Sequence, residues 1–96
     1  MGSAFEWDRK KAAQNLKKHG VSFEEASTAF CDPYRVTIVD TAHSTADEQR
    51  FVTLGQSSKG RTLVVVHTER ADNTRIIHAR KATGRHREAY EESRKK

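Results

Sequence analysis

The 96-residue sequence predicts one α+β domain, in which helices pack on an antiparallel sheet. Three observations favour this class. Two segments with helical spacing come first, four strand-like runs follow, and a third helical segment comes last. The connections between the strand-like runs are short, which is typical of an antiparallel meander of four strands. The length suits a single small domain, so we predict one domain over residues 1–96.

The chain begins with a short aromatic segment and a first helix. Ala4–Trp7 fits either a fifth, brief N-terminal strand or the lead-in to the helix. Asp8 is a favourable N-cap residue for a helix that extends to about Lys18. Gly20 stands where helices commonly end in a left-handed residue.

A second helix is predicted to begin after Ser22. Ser22 and Glu25 have the spacing of a capping box, in which each side chain bonds to the other residue's backbone N–H. The helix is predicted to extend to about Phe30. Pro33 ends it, because proline lacks the backbone donor and restricts the residue before it.

Four runs rich in branched apolar residues predict the sheet. Polar segments separate them: a loop over residues 41–48, a turn over residues 57–60 and a hairpin loop over residues 69–73. The runs are Arg35–Val39, Arg50–Gly55, Thr62–Thr68 and Thr74–Arg80.

A C-terminal helix is predicted from Thr83, as N-cap, through Tyr90. Residues 93–96 are expected to form a frayed tail. Met1-Gly2-Ser3 has the composition of a cloning remnant, which we set apart from the fold.

Positive charge is concentrated in the second half of the chain. The formal net charge is +5. Residues 1–58 contain seven Lys/Arg and eight Asp/Glu, whereas residues 59–96 contain eleven Lys/Arg and five Asp/Glu. A local basic excess favours nucleic acid or an acidic protein as the partner.

Other classes of protein receive little support. The single cysteine, Cys31, allows no internal disulfide. Neither a run of about 20 apolar residues nor a secretory signal is visible, so we expect a cytoplasmic protein with no membrane partner. We predict no metal and no cofactor, because a Gly-rich phosphate loop is lacking and the five histidines do not have metal-ligand spacing. They are His19, His43, His67, His78 and His86.

Four segments of the chain together resemble the BrnT family of toxins. They run in order over nearly the whole sequence, from about Phe5 to Glu92, and are FEWDRKKAAQNLKKHGVSFEEA (Phe5–Ala26), FCDPY (Phe30–Tyr34), LVVVHTER (Leu63–Arg70) and RIIHARKAT with EAYE (Arg75–Glu91).

The resemblance implies a fold, an activity and a partner. BrnT toxins have a RelE-like fold, which agrees with the predicted element order and would make Ala4–Trp7 a first strand. They are ribonucleases that arrest translation and form one half of a type II toxin–antitoxin pair. The antitoxin, BrnA, is a ribbon-helix-helix DNA-binding protein that covers the toxin, and the complex represses its own operon.

Metal-independent RNA cleavage requires a base for the 2′-hydroxyl, an acid for the leaving 5′-oxygen and cations at phosphorus. His67 is the candidate for proton transfer near neutral pH. Glu48 and Arg50 begin the second strand, which antiparallel pairing brings near the His67 end of the third. The candidate catalytic residues are therefore His67, Arg80, Glu48 and Arg50, and the candidate RNA-phosphate ligands are Lys81, Arg61 and Lys59.

The register of the last hairpin decides how these residues combine. Side chains alternate along a strand, so His78 and Arg80 share a face. A one-residue shift would move His67 to the other face, and the sequence leaves that register open. An alternative to a catalytic role for His67 is that it is only a half-exposed polar residue at a strand end.

Two functions of different classes therefore remain candidates. The first is a metal-independent endoribonuclease toxin that a BrnA-like antitoxin neutralises. The second is a non-catalytic basic module that binds nucleic acid or the antitoxin, since charge alone explains affinity.

Overall fold

The computed structural model describes residues 4–95 and confirms the α+β class. In chain order the elements are β1 (Ala4–Glu6), α1 (Arg9–His19), α2 (Phe23–Thr28), a 3₁₀ turn (Ala29–Cys31), β2 (Val36–Val39), β3 (Arg50–Gln56), β4 (Thr62–Arg70), β5 (Asn73–Lys81) and α3 (Gly84–Arg94). Met1-Gly2-Ser3, the expected cloning remnant, lies outside the described residues. α3 extends through Arg94, past Ser93, where the frayed tail was expected to begin.

One mixed sheet contains all five strands in the order β1-β5-β4-β3-β2. The meander from β2 to β5 is antiparallel, and β1 pairs with β5 in parallel. The N-terminal segment is therefore a fifth strand. β4 and β5 are longer than predicted, so the expected 69–73 loop is reduced to a two-residue turn at Ala71–Asp72, in which Ala71 has a φ of 54°.

The helix caps form largely as predicted, with one exception. The Asp8 carboxylate accepts the backbone N–H groups of Lys10 and Lys11, and Gly20 ends α1 with a φ of 71°. The Ser22 hydroxyl accepts the Glu25 N–H at 2.9 Å. The second half of the predicted capping box is wrong, because the Glu25 carboxylate turns away from the cap toward Arg61.

The two faces of the sheet are covered to different extents. The covered face of the sheet is the one that packs against α2 and the 3₁₀ turn. The open face is the opposite one, and α3 packs on one end of it. The core of the covered face contains Val21, Phe23, Ala26, Ala29, Leu63, Val65, Ile76 and Ala79. The smaller core under α3 contains Val52, Leu54, Val64, Ala82 and Tyr90.

α1 lies along the free edge of β5, where β1 no longer pairs. The buried Asn15 side chain accepts the Ala79 N–H at 3.1 Å and donates to the Ala79 carbonyl at 2.8 Å and to the Val21 carbonyl at 2.9 Å. Its amide thus replaces a neighbouring strand for one residue of β5, which satisfies backbone groups that would otherwise be buried without partners. This contact fixes α1 beside the open face.

A β-bulge sets the register of the last hairpin. Val66 pairs with His78, but His67 pairs with Ile76, so Ile77 is the extra residue. His67 lies on the covered face with Leu63 and Val65 of the same strand, and the bulge places His78 beside Val66 on the open face. The bulge answers the question that the sequence left open.

Candidate active site

Arg80 and His86 meet on the open face, at the point where β5 leads into α3. Arg80 pairs with Val64 in the sheet, and His86 lies in the first turn of α3. Arg80 Nη2 is 3.4 Å from His86 Nδ1, which is longer than a well-formed hydrogen bond. No Asp or Glu of residues 4–95 forms an ion pair with Arg80. The guanidinium therefore retains charge and donors for a ligand.

The beginning of α3 adds a weaker electrostatic contribution. Thr83 is the N-cap residue, as predicted, but its side chain makes no capping hydrogen bond. The first backbone N–H groups of a helix lack intrahelical partners and favour an anion nearby. Arg80 and His86 stand next to this helix end, so the local field adds to their own preference for negative charge.

His78 lies two residues before Arg80 on the same face, with its Cα roughly 7 Å away by strand geometry. Its ring is 4.8 Å from the His19 ring in an edge-to-face arrangement. Burial, followed by the positive charges of His19, Arg80 and Lys18, lowers the pKa of His78 below its ordinary value. A neutral imidazole therefore accompanies Arg80 at neutral pH.

Arg50 shares the open face with Arg80 but lies some distance from it. Its strand position pairs with Thr68, four residues along β4 from the partner of Arg80. Strand spacings place the Arg50 and Arg80 Cα atoms roughly 16 Å apart. Arg50 Nε also binds the Glu48 carboxylate at 3.0 Å. Arg50 and Glu48 thus form a separate polar pair, and one compact site does not contain all the predicted catalytic residues.

His67 is placed where a substrate cannot reach it. The residue is 3 % exposed, and its ring packs against Phe30 and stacks on Phe51. Nε2 is 2.8 Å from the Thr53 hydroxyl and Nδ1 is 3.2 Å from the Glu69 carboxylate. Burial lowers the pKa of His67, against the opposing effect of Glu69. His67 alternates along β4 with the core residues Leu63 and Val65, so it points into the covered face, and the prediction that it is available for proton transfer to RNA is corrected.

Arg61 also departs from its predicted surroundings. Its guanidinium binds the buried Glu25 carboxylate and donates to the Gly20 carbonyl at 3.0 Å. Ser57 donates to the same carboxylate at 2.7 Å. The Arg61 guanidinium, followed by the Ser57 hydroxyl, overcomes the effect of burial and lowers the pKa of Glu25. Arg61 therefore links α2 to the β3–β4 turn. Its guanidinium is already bound to a carboxylate and is not free to bind a phosphate.

The two predicted lysine ligands stand away from Arg80. Lys81 pairs with Leu63, whose side chain belongs to the covered-face core, so the register separates Lys81 from Arg80. Lys59 is exposed in the turn between β3 and β4. Arg80 and Lys81 are adjacent in sequence but do not converge on one phosphate, because successive side chains point to opposite faces of a strand.

Tyr90, the last residue predicted for the C-terminal helix, packs on the sheet. Its ring is 1 % exposed and its hydroxyl donates to the Asp32 carboxylate. Burial and this carboxylate raise the pKa of Tyr90 to about 12. Asp32 also accepts the backbone N–H groups of Gln56 and Tyr34, so Tyr90 anchors α3 over the open face and positions His86 indirectly.

His86 is the residue that the sequence analysis missed. It lies six residues after Arg80, and the chain passes directly from the strand into a helix whose first turn carries it. A basic residue at a strand end, followed after a short connection by a histidine in the first helical turn, is a pattern that brings both groups together. The sequence contains this pattern at Arg80 and His86, but it differs from the spacing of metal ligands.

Residues 4–95 contain neither a metal-binding cluster nor a membrane-spanning helix. No group of three or more His, Cys, Asp or Glu side chains in this range could hold a metal ion. In the same range, none of the helices has the length and apolar character needed to cross a membrane.

Comparison with known proteins identifies a family and a similar solved structure. Residues 7–86 match the family described as ribonuclease toxin, BrnT, of type II toxin-antitoxin system. The crystal structure of the Brucella abortus ribonuclease toxin BrnT superposes with a TM-score of 0.65 at 19% sequence identity, covering 85% of this chain and 99% of that one. No curated protein sequence matches the chain. The structural likeness supports the fold, and the family match covers most of the sequence. The chain therefore belongs to the BrnT family of ribonuclease toxins of type II toxin–antitoxin systems.

Proposed function

We propose that this chain is a metal-independent endoribonuclease that cleaves cellular RNA in the cytoplasm and thereby arrests translation. The observation that carries the proposal is the Arg80–His86 pair on the open face, with no carboxylate of residues 4–95 paired to Arg80. The family is described as a ribonuclease toxin, which agrees with this chemistry.

The proposed reaction is an attack by the 2′-oxygen on the adjacent phosphorus. The bond from phosphorus to the 5′-oxygen breaks, which leaves a 2′,3′-cyclic phosphate and a free 5′-hydroxyl. A base takes the proton of the 2′-hydroxyl, and an acid delivers a proton to the departing 5′-oxygen. Arg80 stabilises the negative charge that builds on the phosphoryl oxygens.

The two histidines divide the proton transfers. We assign the base to His78, because its lowered pKa keeps its ring neutral near pH 7. His86 is then the proton donor, once Arg80 turns from its ring toward the phosphate. Arg50 and Glu48 are proposed as secondary contacts farther along the same face. Lys59 and Lys81 are proposed as peripheral contacts to flanking phosphates only.

Cleavage of a labelled RNA in EDTA tests this proposal. We expect Arg80→Ala and His86→Ala each to lower the cleavage rate by about 10²- to 10³-fold, because each removes a group that acts in the transition state. Arg85→Ala, in the same helical turn and exposed, is the matched control and should cleave normally.

The products provide an independent check. RNA fragments produced by the wild-type protein should end in a 2′,3′-cyclic phosphate. If purified wild-type protein binds RNA but leaves it intact in EDTA, the chain is a non-catalytic binding module. If both site variants cleave at the wild-type rate, the proposed residues are not the site.

The proposed partner is a BrnA-like antitoxin with a ribbon-helix-helix DNA-binding domain, whose complex with the toxin represses the shared operon. The family implies an antitoxin. The physical support is the uncovered, basic open face, which an acidic segment of the antitoxin would neutralise and shield. Co-expression of the product of the adjacent open reading frame should suppress cleavage. A neighbour that does not bind the chain would exclude it as the antitoxin.

A further inference from the structure

A groove of about 320 Å³ lies between α1 and β5, next to the proposed site. It exists because the Asn15 amide holds α1 against the Ala79 backbone, at the edge of the sheet. α1 contributes one wall and the bulged part of β5 contributes the other. The lining residues are Lys11, Gln14, Asn15, Lys18, His19, Ile77 and His78.

The charge of this groove is entirely positive or neutral. None of its lining residues is acidic, and neither Lys11 nor Lys18 belongs to an ion pair within residues 4–95. The nearest carboxylate on α1 is the N-cap Asp8, whose oxygen is occupied by the Lys10 and Lys11 backbone N–H groups. Lys18 lies at the other end of the helix, away from this carboxylate.

The groove also contains an unused polar atom. Nε2 of His19 is buried and has no hydrogen-bond partner in the described chain. Its ring stands edge-to-face against the His78 ring. Buried polar atoms are usually paired, so an atom without a partner requires a physical reason. Because Nε2 is buried, the groove presents its positive charge through Lys11 and Lys18 instead.

His78 connects the groove to the proposed active site. The same residue lines the groove and lies two positions from Arg80 on the open face. The groove residues His19 and Lys18 and the site residue Arg80 all lower the pKa of His78, so His78 is close to both the groove and the proposed active site. A polymer with a charge on every repeating unit could extend from the groove to the proposed active site.

We propose that this α1–β5 groove binds the phosphodiester backbone of single-stranded RNA immediately beside the cleaved bond. Lys18 and Lys11 neutralise the flanking phosphates. The volume is too small for both strands of a duplex. The position relative to the cleaved bond rests on the proposed function, whereas RNA binding by the groove does not.

Two double variants of equal charge test this proposal. Lys11→Gln with Lys18→Gln removes both groove cations. Lys10→Gln with Lys17→Gln removes two cations of the same helix that do not line the groove. Glutamine has a helix propensity close to that of lysine, and thermal unfolding will verify that both variants fold.

Binding is measured with a single-stranded RNA that carries 2′-O-methyl groups throughout, so that no 2′-hydroxyl can attack. Fluorescence anisotropy in EDTA over a series of salt concentrations gives the slope of log affinity against log salt. Each lost phosphate contact lowers that slope by about 0.7 for a single strand. We expect the groove variant to lose about 1.4 and the control variant to retain the wild-type slope.

The outcomes separate the groove from the proposed function. Equal losses in both variants would mean that only total charge matters, and no loss in either would mean that the groove does not bind RNA; both results overturn the proposal. It is equally overturned if the wild type does not bind the modified strand. If the groove variant alone loses slope but wild-type protein never cleaves unmodified RNA, the groove stands and the proposed function fails.

Discussion

Arginine and histidine occur on both faces of the sheet, in surroundings that differ in burial and in partners. On the covered face, Arg61 binds the buried Glu25 and His67 is enclosed by aromatic rings. On the open face, Arg80 has two long contacts, to His86 Nδ1 and to the Lys81 carbonyl, and no ion pair with a carboxylate of residues 4–95. The same residue types therefore hold the fold together on one face and are available for a ligand on the other.

The difference follows from the requirements of burial. A charge that leaves water must be paired and hydrogen-bonded, and the covered face meets this condition at Glu25 with the Arg61 guanidinium and the Ser57 hydroxyl. Arg80 remains partly exposed and therefore needs no such partner. We infer that availability, rather than residue type, distinguishes a functional cation in this fold.

The largest expected effect is the loss of the covered-face ion pair. Arg61→Ala leaves the Glu25 carboxylate, whose side chain is 2 % exposed, with Ser57 as its remaining side-chain partner. Breaking a buried pair in this way should lower the free energy of unfolding by about 4 kcal/mol. Urea denaturation measures it, with the exposed Lys59→Ala as a control that should change by less than about 0.5 kcal/mol.

The activity of the same variant sharpens the comparison. Under conditions in which it is folded, Arg61→Ala should cleave RNA at the wild-type rate, whereas Arg80→Ala should be as stable as wild type and inactive. A stable but inactive Arg61→Ala protein would return Arg61 to the phosphate-binding role that the sequence suggested, and the division between the faces would fail.

A smaller effect is expected where the two faces meet, at the edge of β5. Asn15→Leu keeps the side-chain size but removes three hydrogen bonds, to the Ala79 N–H, the Ala79 carbonyl and the Val21 carbonyl. Leaving these backbone groups unpaired should cost about 3 kcal/mol of unfolding free energy.

Hydrogen exchange locates the Asn15 effect. The Ala79 amide should exchange faster in Asn15→Leu, while amides in the middle of β3 lose protection only with global stability. Gln14→Ala, at an exposed neighbouring position, should leave both measurements unchanged. An Asn15→Leu protein with wild-type stability would show that α1 is held by its apolar contacts instead.

The sequence predicted the helices and strands, but it did not predict which face of the sheet each side chain occupies. Capping residues and branched runs identified the helices and strands, and the resemblance identified the family. The placement of His67 could not be predicted, because β4 is apolar on both faces from Leu63 to Val66 and does not show which face α2 covers. The extra residue Ile77 in β5 then puts His78 on the other face. Arg61 was misplaced for a related reason: Glu25 is 36 positions away in sequence, and only the packed fold brings the two together.

The smallest expected effect is a pH dependence of stability that originates at His67. Burial lowers the pKa of His67 in the folded protein below its ordinary value of 6.5. The unfolded chain then binds the proton more readily, so the contribution of His67 to stability is present above about pH 6.5 and is lost as the pH falls through the lower folded-state value. Between pH 7 and 5 this loss should be on the order of 1 kcal/mol.

His67→Phe isolates that contribution. Phenylalanine can occupy the space between the Phe30 and Phe51 rings, and the Thr53 hydroxyl keeps its 2.8 Å contact with Thr37. We expect the variant to have a flatter profile of unfolding free energy between pH 7 and 5, with RNA cleavage retained. A profile identical to wild type would assign the pH dependence to other groups, foremost His78, whose pKa is also lowered by burial. Loss of cleavage with stability intact would instead show that the covered face takes part in the chemistry.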